Sequence, residues 1–305
     1  MYSILIPSFN NFPYLKICIE SIEKNSKYNH QIIVHVNQGA DETLKYLNEK
    51  KIEYSFSKEN IGMPRALNNA AKLAKYNYLV ISHDDFYYCP DWDTEFENEI
   101  KNLKHNNFYL SGTMVNAVDK VKFDPSKSPP VFNAGKTSDT FDENKVLKNL
   151  NLFKTFDFQG STKHPAIVHK NTWNKVGGWS EEFFPTGGDD TDFLMKLWSI
   201  NIRIFKGLGR CSVYHFGSIT TRKKDKKIFT YLGSKANKIF LKKWKISINF
   251  FENFYLRSGL DKNKNLIFKK YDGPLKDPEK NLKYFYEIIK NKINLIYLHL
   301  INYKV

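Results

Sequence analysis

The 305-residue chain is poor in cysteine. Cys18, Cys89 and Cys211 are its three thiols, and they form no spaced cluster. So sparse and odd a count argues against a disulfide scaffold or a zinc site and suits a reducing compartment. The N-terminus reads as a strand, with no basic segment leading into an apolar one. No apolar run approaches the about 20 residues that span a bilayer. These absences read as a cytoplasmic protein. No internal repeat is evident. No G-x-G-x-x-G follows the first strand and there is no G-x-x-x-x-G-K, which disfavours dinucleotide and P-loop phosphate cradles. A phosphate-bearing ligand then needs positive charge from elsewhere, and a metal held by carboxylates supplies it.

What is present begins with a globular composition, 41% hydrophobic and 15% aromatic. Charge is uneven. Residues 222–305 hold 21 lysines and arginines against 7 acids, so nearly all of the net +15 lies in the last third. The first two-thirds look like an ordinary neutral domain, and the rest like a basic, aromatic-rich appendage. That appendage is either a solvated lysine surface or a contact for an anionic membrane or nucleic acid. No nucleic-acid motif accompanies it.

In chain order, Ser3 to Ile6 reads as a strand stopped by Pro7. A helix follows, capped by Asn10 or Asn11, with Leu15, Cys18, Ile19 and Ile22 at helical spacing. Gln31 to Val36 and Ile52 to Phe56 read as strands. Asn60 to Arg65 opens a helix reaching about Ala74, and Tyr78 to Ile81 is a buried strand. This β-α-β-α-β-α-β order implies an α/β fold with a mostly parallel sheet and helices on both faces. The segment 116–163, with Pro125, Pro129, Pro130, Gly135 and Gly160, is irregular. It reads as a functional loop on the acceptor side, with one short helix near Glu143 to Phe153. Ala166 to His169, Arg203 to Phe205 and Cys211 to Tyr214 read as further strands. Thr172 to Val176 reads as a turn of helix and Asp189 to Ile200 as a helix.

Two acidic constellations stand out. Asp84 and Asp85 end the Tyr78–Ile81 strand, where ligands bind in open α/β sheets. There they suit either a solvated turn or a divalent metal bridging a diphosphate. Asp189, Asp190 and Asp192 open a helix behind Gly187 and Gly188. One acid caps a helix well; three exceed what capping needs. A carboxylate here suits a general base. His215, at the end of the Cys211–Tyr214 strand, is a candidate third ligand beside Asp84 and Asp85.

Taken together, these stretches resemble a family 2 glycosyltransferase of the GT-A fold. Ser3 to Asn10 resembles that family's first strand and turn. Asn60-Ile61-Gly62 through Ala70 resembles its N-x-G helix start, and Asp84-Asp85 its D-x-D region. Gly177-Gly178-Trp179 through Gly188-Asp189-Asp190-Thr191-Asp192 resembles its G-G-F…E-D-x-D segment. Val213-Tyr214-His215 resembles its late metal-binding histidine, and Lys243-Trp244 a K-W segment after the core.

The resemblance implies a catalytic domain over 1–221, with a nucleotide-binding half to about 115 and an acceptor-side half from about 116. A basic, mainly helical extension over 222–305 follows. It implies an inverting, metal-dependent glycosyltransferase moving a sugar from a nucleotide-diphosphate donor, UDP-linked, to a hydroxyl of a glycan or lipid-linked acceptor in cell-surface polysaccharide synthesis. Asp190 is then the base. Asp85 and His215 hold Mn²⁺ or Mg²⁺. Pro7, Asn10, Asn37, Asn60, Arg65, His83 and Asp84 line the donor, and Trp179, Gly188, Asp189 and Asp192 lie on the acceptor side. His83 departs from the first acid of D-x-D. Asn37 stands where an aspartate usually accepts a proton from uracil; an amide both donates and accepts. A sugar-nucleotide nucleotidyltransferase also uses paired acids and metal, but needs a glycine- and arginine-rich loop that Pro7 to Asn11 does not provide. A non-catalytic protein binding an anionic surface through the basic tail is the third reading. The interleaved aromatic, aliphatic and lysine residues after Phe229 fit either packing on the core or a peripheral seat at the inner face of the cell membrane.

Overall fold

The computed structural model describes residues 1–118, 130–161, 164–217, 226–260, 266–267 and 269–301. Pro125, Pro129 and the 221/222 boundary lie outside the described residues.

The nucleotide-side half is a parallel layer: β1 (Ser3–Phe9), α1 (Phe12–Asn25), β2 (Gln31–Asn37), α2 (Thr43–Glu49), β3 (Glu53–Ser57), α3 (Gly62–Lys72) and β4 (Tyr78–Ile81). Side chains alternate across it. Ile4, Ile6 and Val80 face a core with Leu15, Cys18 and Ile19 of α1. Leu5, Leu79 and Ile81 face the opposite core with Leu67 and Ala70 of α3. Burial on both faces is why these strands are near-continuous apolar runs. Pro7 does not stop β1: it pairs in register with His35. The last pair with β4 is Leu5–Ile81, so Pro7 stands where the ladder on that side has ended and no donor is missed.

Between β4 and the irregular segment, the sequence reading missed β5 (Phe86–Tyr88), α4 (Trp92–Leu103) and β6 (Phe108–Ala117). After β7 (Val131–Phe132), the short helices α5 (Glu143–Lys148) and α6 (Leu150–Phe153) replace the single expected helix. They precede β8 (Phe158–Gln159), β9 (Ala166–His169), α7 (Lys170–Lys175), α8 (Asp189–Ser199) and β10 (Ile204–His215). The ten-stranded sheet runs β3-β2-β1-β4-β9-β6-β10-β5, with β7 beside β6 and β8 beside β10. β9 is antiparallel to both β4 and β6. Arg203–Phe205 and Cys211–Tyr214 are parts of one strand, not two. Gly207 and Ser212 pair with Ser111 and Thr113, so β10 bulges between them and pushes Arg210 into solvent.

The basic C-terminal segment is not all appendage. In α9 (Lys226–Trp244), Ala236, Ile239 and Phe240 join the α3/α8 core, as do Ile246, Phe250, Phe251 and Leu256 beyond it. A last helix, α10 (Leu282–Leu300), lies against this layer.

Candidate active site

The C-terminal ends of β1, β2 and β4 and the end of β10 converge on one edge of the sheet, and the turn after β4 brings His83, Asp84 and Asp85 there. Asp85 and His215 meet at once: His215 Nε2 lies 3.3 Å from Asp85 Oδ2. His83 joins from the other side, its Nδ1 4.0 Å from Asp85 Oδ1. Ligand atoms of His83, Asp85 and His215 all lie within 4.8 Å of one another. His83 was expected at the donor; the structure brings it to the metal-ligand candidates.

Two residues that sequence reasoning missed orient this cluster. Asn116, at the end of β6, has its Oδ1 2.8 Å from His215 Nδ1. The amide oxygen accepts the Nδ1–H, so Nε2 is the ring nitrogen that faces Asp85. A second partner on the far ring nitrogen is the usual arrangement around a bound metal. His164 lies 3.1 Å from His83 Nε2, and the His83 ring stacks on Phe86 with centroids 4.8 Å apart. Burial pushes the His83 imidazole down from its ordinary range, with Asp85 opposing, which favours the neutral form that ligates. Asn116 and His164 carry no local signal; only the pairing of β6 with β10 and the return of the chain after the 116–163 segment bring them in.

Asp84 points elsewhere. Burial first, and the Asp85 charge second, push its carboxyl up to about 7, while Ser8, Asn11 and the Phe9 backbone oppose the rise. Pro7 precedes that cradle. Asn10 adopts φ +46°, donates to Gln38 Oε1 at 2.9 Å and accepts from the Ala40 N–H at 2.8 Å. Asn37 Oδ1 accepts from the Ile61 N–H at 2.9 Å and from the Ser57 hydroxyl at 3.3 Å. Asn60 Oδ1 accepts from the Gly62 N–H at 2.9 Å. These asparagines tie the ends of β1, β2 and β3 to the start of α3.

The second constellation is joined to the first through that helix start: the Met63 N–H donates to Pro185 O at 2.8 Å. Arg65, expected at the donor, pairs with Glu181 at 2.7 Å. Asn68 brackets Trp179, donating to its carbonyl and accepting from its N–H. Trp179, expected on the acceptor side, is buried and stacks on Phe193 with centroids 5.8 Å apart.

The three aspartates of α8 have three environments. Asp189 is buried and accepts from the Gly187 N–H at 2.7 Å and from the Thr186 hydroxyl. Burial and the neighbouring Asp190 charge push it up to about 7. Asp190 is half-buried and accepts from the Thr191 N–H at 2.7 Å, so it keeps an outlet to solvent. Asp192, also expected on the acceptor side, is fully buried. It accepts from Trp244 Nε1 at 2.7 Å and pairs with Lys243 at 3.0 Å. The K-W pair of α9 thus closes on the acidic start of α8. Gly188 has φ +73°, and a Cβ there would lie 3.1 Å from Ala236 and 3.0 Å from Ile248. Its lack of a side chain lets the C-terminal segment pack onto the turn that leads into α8 and Asp190.

A profile of glycosyl transferase family 2 matches residues 3–166, more than half of the chain. The chain belongs to this family. Among curated relatives, an uncharacterized glycosyltransferase of Rickettsia bellii is 28% identical over 124 residues, 39% of this chain and 17% of that one. Another, of Rickettsia typhi, is 40% identical over 92 residues, 29% of this chain and 28% of that one. The matched stretches therefore span less than a third of those relatives. Among solved structures, S. aureus TarS 1–349 superposes with a TM-score of 0.53 at 13% identity, covering 82% of this chain and 74% of that one. At such identity the likeness is one of fold. The mixed α/β sheet is that of a GT-A glycosyltransferase, as the sequence motifs imply.

Proposed function

We propose that this family 2 glycosyltransferase moves a sugar, with inversion, from a UDP-linked donor to a hydroxyl of a glycan or lipid-linked acceptor in cell-surface polysaccharide synthesis. The observation that carries the reading is the meeting of Asp85, His215 and His83 at the sheet edge, next to a helix start that leads to Asp190.

Asp190 is the base. It takes the proton of the acceptor hydroxyl as that oxygen forms its bond to the anomeric carbon. The bond from that carbon to the diphosphate oxygen breaks on the opposite face, and UDP departs with the electron pair. Configuration therefore inverts. Asp189, the deeper carboxyl, fixes the turn through Thr186 and Gly187, while the half-buried Asp190 keeps access to solvent. Asp85, His215 and His83 would hold a divalent ion, which would supply positive charge to offset that of the diphosphate. Two imidazoles beside one carboxylate favour Mn²⁺ over Mg²⁺, which prefers oxygen.

The nucleotide side is read by Asn37. Its Oδ1 is taken by Ile61 and Ser57, so its amide presents N–H donors to the base and meets a carbonyl oxygen of uracil. A TarS structure of this fold holds UDP, which supports the uridine donor. The irregular segment before α5 lines a cleft of about 490 Å³ with Gly135, Lys136, Thr137 and Asp142 among others.

Calorimetric titration of UDP with and without Mn²⁺ tests this reading. Affinity should depend on the metal in the wild type and lose that dependence in Asp85→Ala. Equal affinity in Asp85→Ala, in EDTA and in the wild type with Mn²⁺ would contradict the metal assignment.

A further inference from the structure

The inner face of α10 is settled. Tyr284 packs on Phe250 and Phe254, with ring centroids 5.1 and 5.5 Å away. Asn291 Oδ1 accepts the Ser247 N–H at 3.2 Å, and Leu298 is buried. The outer face is also apolar, and nothing among the described residues covers it. Leu282, Phe285, Ile289, Ile293, Ile296 and Leu300 are all at least 50% exposed, Leu282 reaching 90%. At 3.6 residues per turn these six project within an arc of about 80°. They form one continuous stripe along the whole helix, larger than scattered surface apolar residues explain. Exposed Tyr286 and Tyr297 border one side.

Charge frames the stripe. Exposed Lys283 and Lys290 lie beyond the tyrosines on one flank, and exposed Lys292 lies on the other. The one acid of the helix, Glu287, is turned off the stripe and is 3.7 Å from Lys290. No helix is long and apolar enough to cross a membrane among the described residues. A helix with an apolar face, aromatic borders and lysines on both flanks lies in the plane of a lipid interface, its ammonium groups reaching headgroups.

We propose that α10 seats the enzyme on a membrane rich in anionic lipid, through this outer stripe and its flanking lysines. A second copy of the chain is a poorer occupant. Pairing two such stripes sets lysine flank against lysine flank with no acid on the face to answer them. The surrounding segment, 21 basic residues against 7 acids over 222–305, adds the same sign of charge. This inference stands on α10 and does not rest on the proposed reaction.

The full chain is sedimented with phosphatidylcholine vesicles with and without phosphatidylglycerol. It should partition onto the anionic vesicles and be released by raised salt. Ile293→Asp/Ile296→Asp, at exposed positions that packing does not need, should reduce binding by about tenfold or more while melting temperature and UDP affinity stay unchanged. Lys283→Glu/Lys290→Glu/Lys292→Glu should abolish the preference for anionic lipid. The proposal is overturned by wild-type protein that binds neither vesicle or both equally, or by an aspartate variant that binds like wild type. It is equally overturned if sedimentation equilibrium shows a dimer that the aspartates turn to monomer without vesicle binding in either form.

Discussion

Trp244→Phe puts a number on the tie between α9 and the acidic start of α8. Asp192 is fully buried, and its carboxylate is held by the Trp244 indole N–H at 2.7 Å and by Lys243 at 3.0 Å. A buried carboxylate deprived of a hydrogen bond keeps its desolvation cost. Phenylalanine preserves most of the ring packing against Phe240 but removes the donor. A hydrogen bond to a charged group contributes about 1.5–3 kcal/mol, so Trp244→Phe should cost about 2 kcal/mol. At about 2–4 °C per kcal/mol for a domain of this order of size, the melting temperature should fall by about 4–8 °C. Lys243→Met removes the counter-charge; Lys243 keeps a 28% exposed side chain, so its loss should sit near or below the about 3 kcal/mol lower end for breaking a buried pair. Because Asp192 lies two residues from Asp190, turnover should fall further than donor affinity. Displacing a catalytic group by about 1 Å costs up to about 10²-fold. The assay is thermal unfolding by circular dichroism beside UDP affinity and sugar-nucleotide turnover. An unchanged melting temperature in Trp244→Phe would show that the indole N–H does not stabilise Asp192. So would a double change, Asp192→Asn/Trp244→Phe, costing the sum of the single ones.

Acid should weaken the fold through His35. Its ring is buried between Ser55 and Ser57, and burial pushes its pKa down to about 4 from an ordinary 6.5. As pH falls from 6.5 towards 4 the unfolded chain takes a proton that the folded ring refuses. This contribution to stability is therefore full above 6.5 and lost as pH falls through about 4. Urea midpoints should drop between pH 7 and pH 5 in wild type and drop less in His35→Gln; equal drops would exclude His35 as the cause. Gly62→Ala should destabilise by about 2 kcal/mol or more, since Gly62 has φ +79° and a Cβ would lie 2.8 Å from Pro185 O. Gly177→Ala, at φ +72° with open space around it, should show only the backbone strain of about 1 kcal/mol. Matching melting temperatures for the two variants would contradict the close approach of α3 to the 184–188 loop.

The parallel half was legible in the sequence because β1, β2 and β4 are covered on both sides, which makes Ile4-Leu5-Ile6 and Leu79-Val80-Ile81 unbroken apolar runs. β6 hid behind Ser111, Gly112 and Thr113 in its middle, polar or small residues that are nevertheless buried or in contact within the sheet. β10 read as two strands because Gly207 to Arg210 looks like a turn; it is a bulge in a continuous ladder. At the site, Asp85 and His215 each sit at a strand end and could be singled out. The part played by His164 could not, because it reaches His83 across 81 residues of chain. The three aspartates of α8 look alike in a row. Only folding separates them, by bringing Trp244 to Asp192 and burying Asp189 while Asp190 keeps an opening. The tail was ambiguous for the same reason: lysines alternate with apolar residues in α9 and α10 alike, yet Ala236, Ile239 and Phe240 are in the core and Ile293 and Ile296 are outside it.

The most direct test is the turnover of Asp190→Asn. The full chain, with Mn²⁺, is given a panel of UDP-sugars, and UDP release is followed with water as the acceptor. The substitution keeps the shape of the side chain and removes its capacity to take a proton. Turnover should fall by about 10²–10⁴-fold, the span of general base catalysis, with UDP affinity unchanged. Near-full turnover in Asp190→Asn, with the loss appearing in Asp189→Asn instead, would contradict the account.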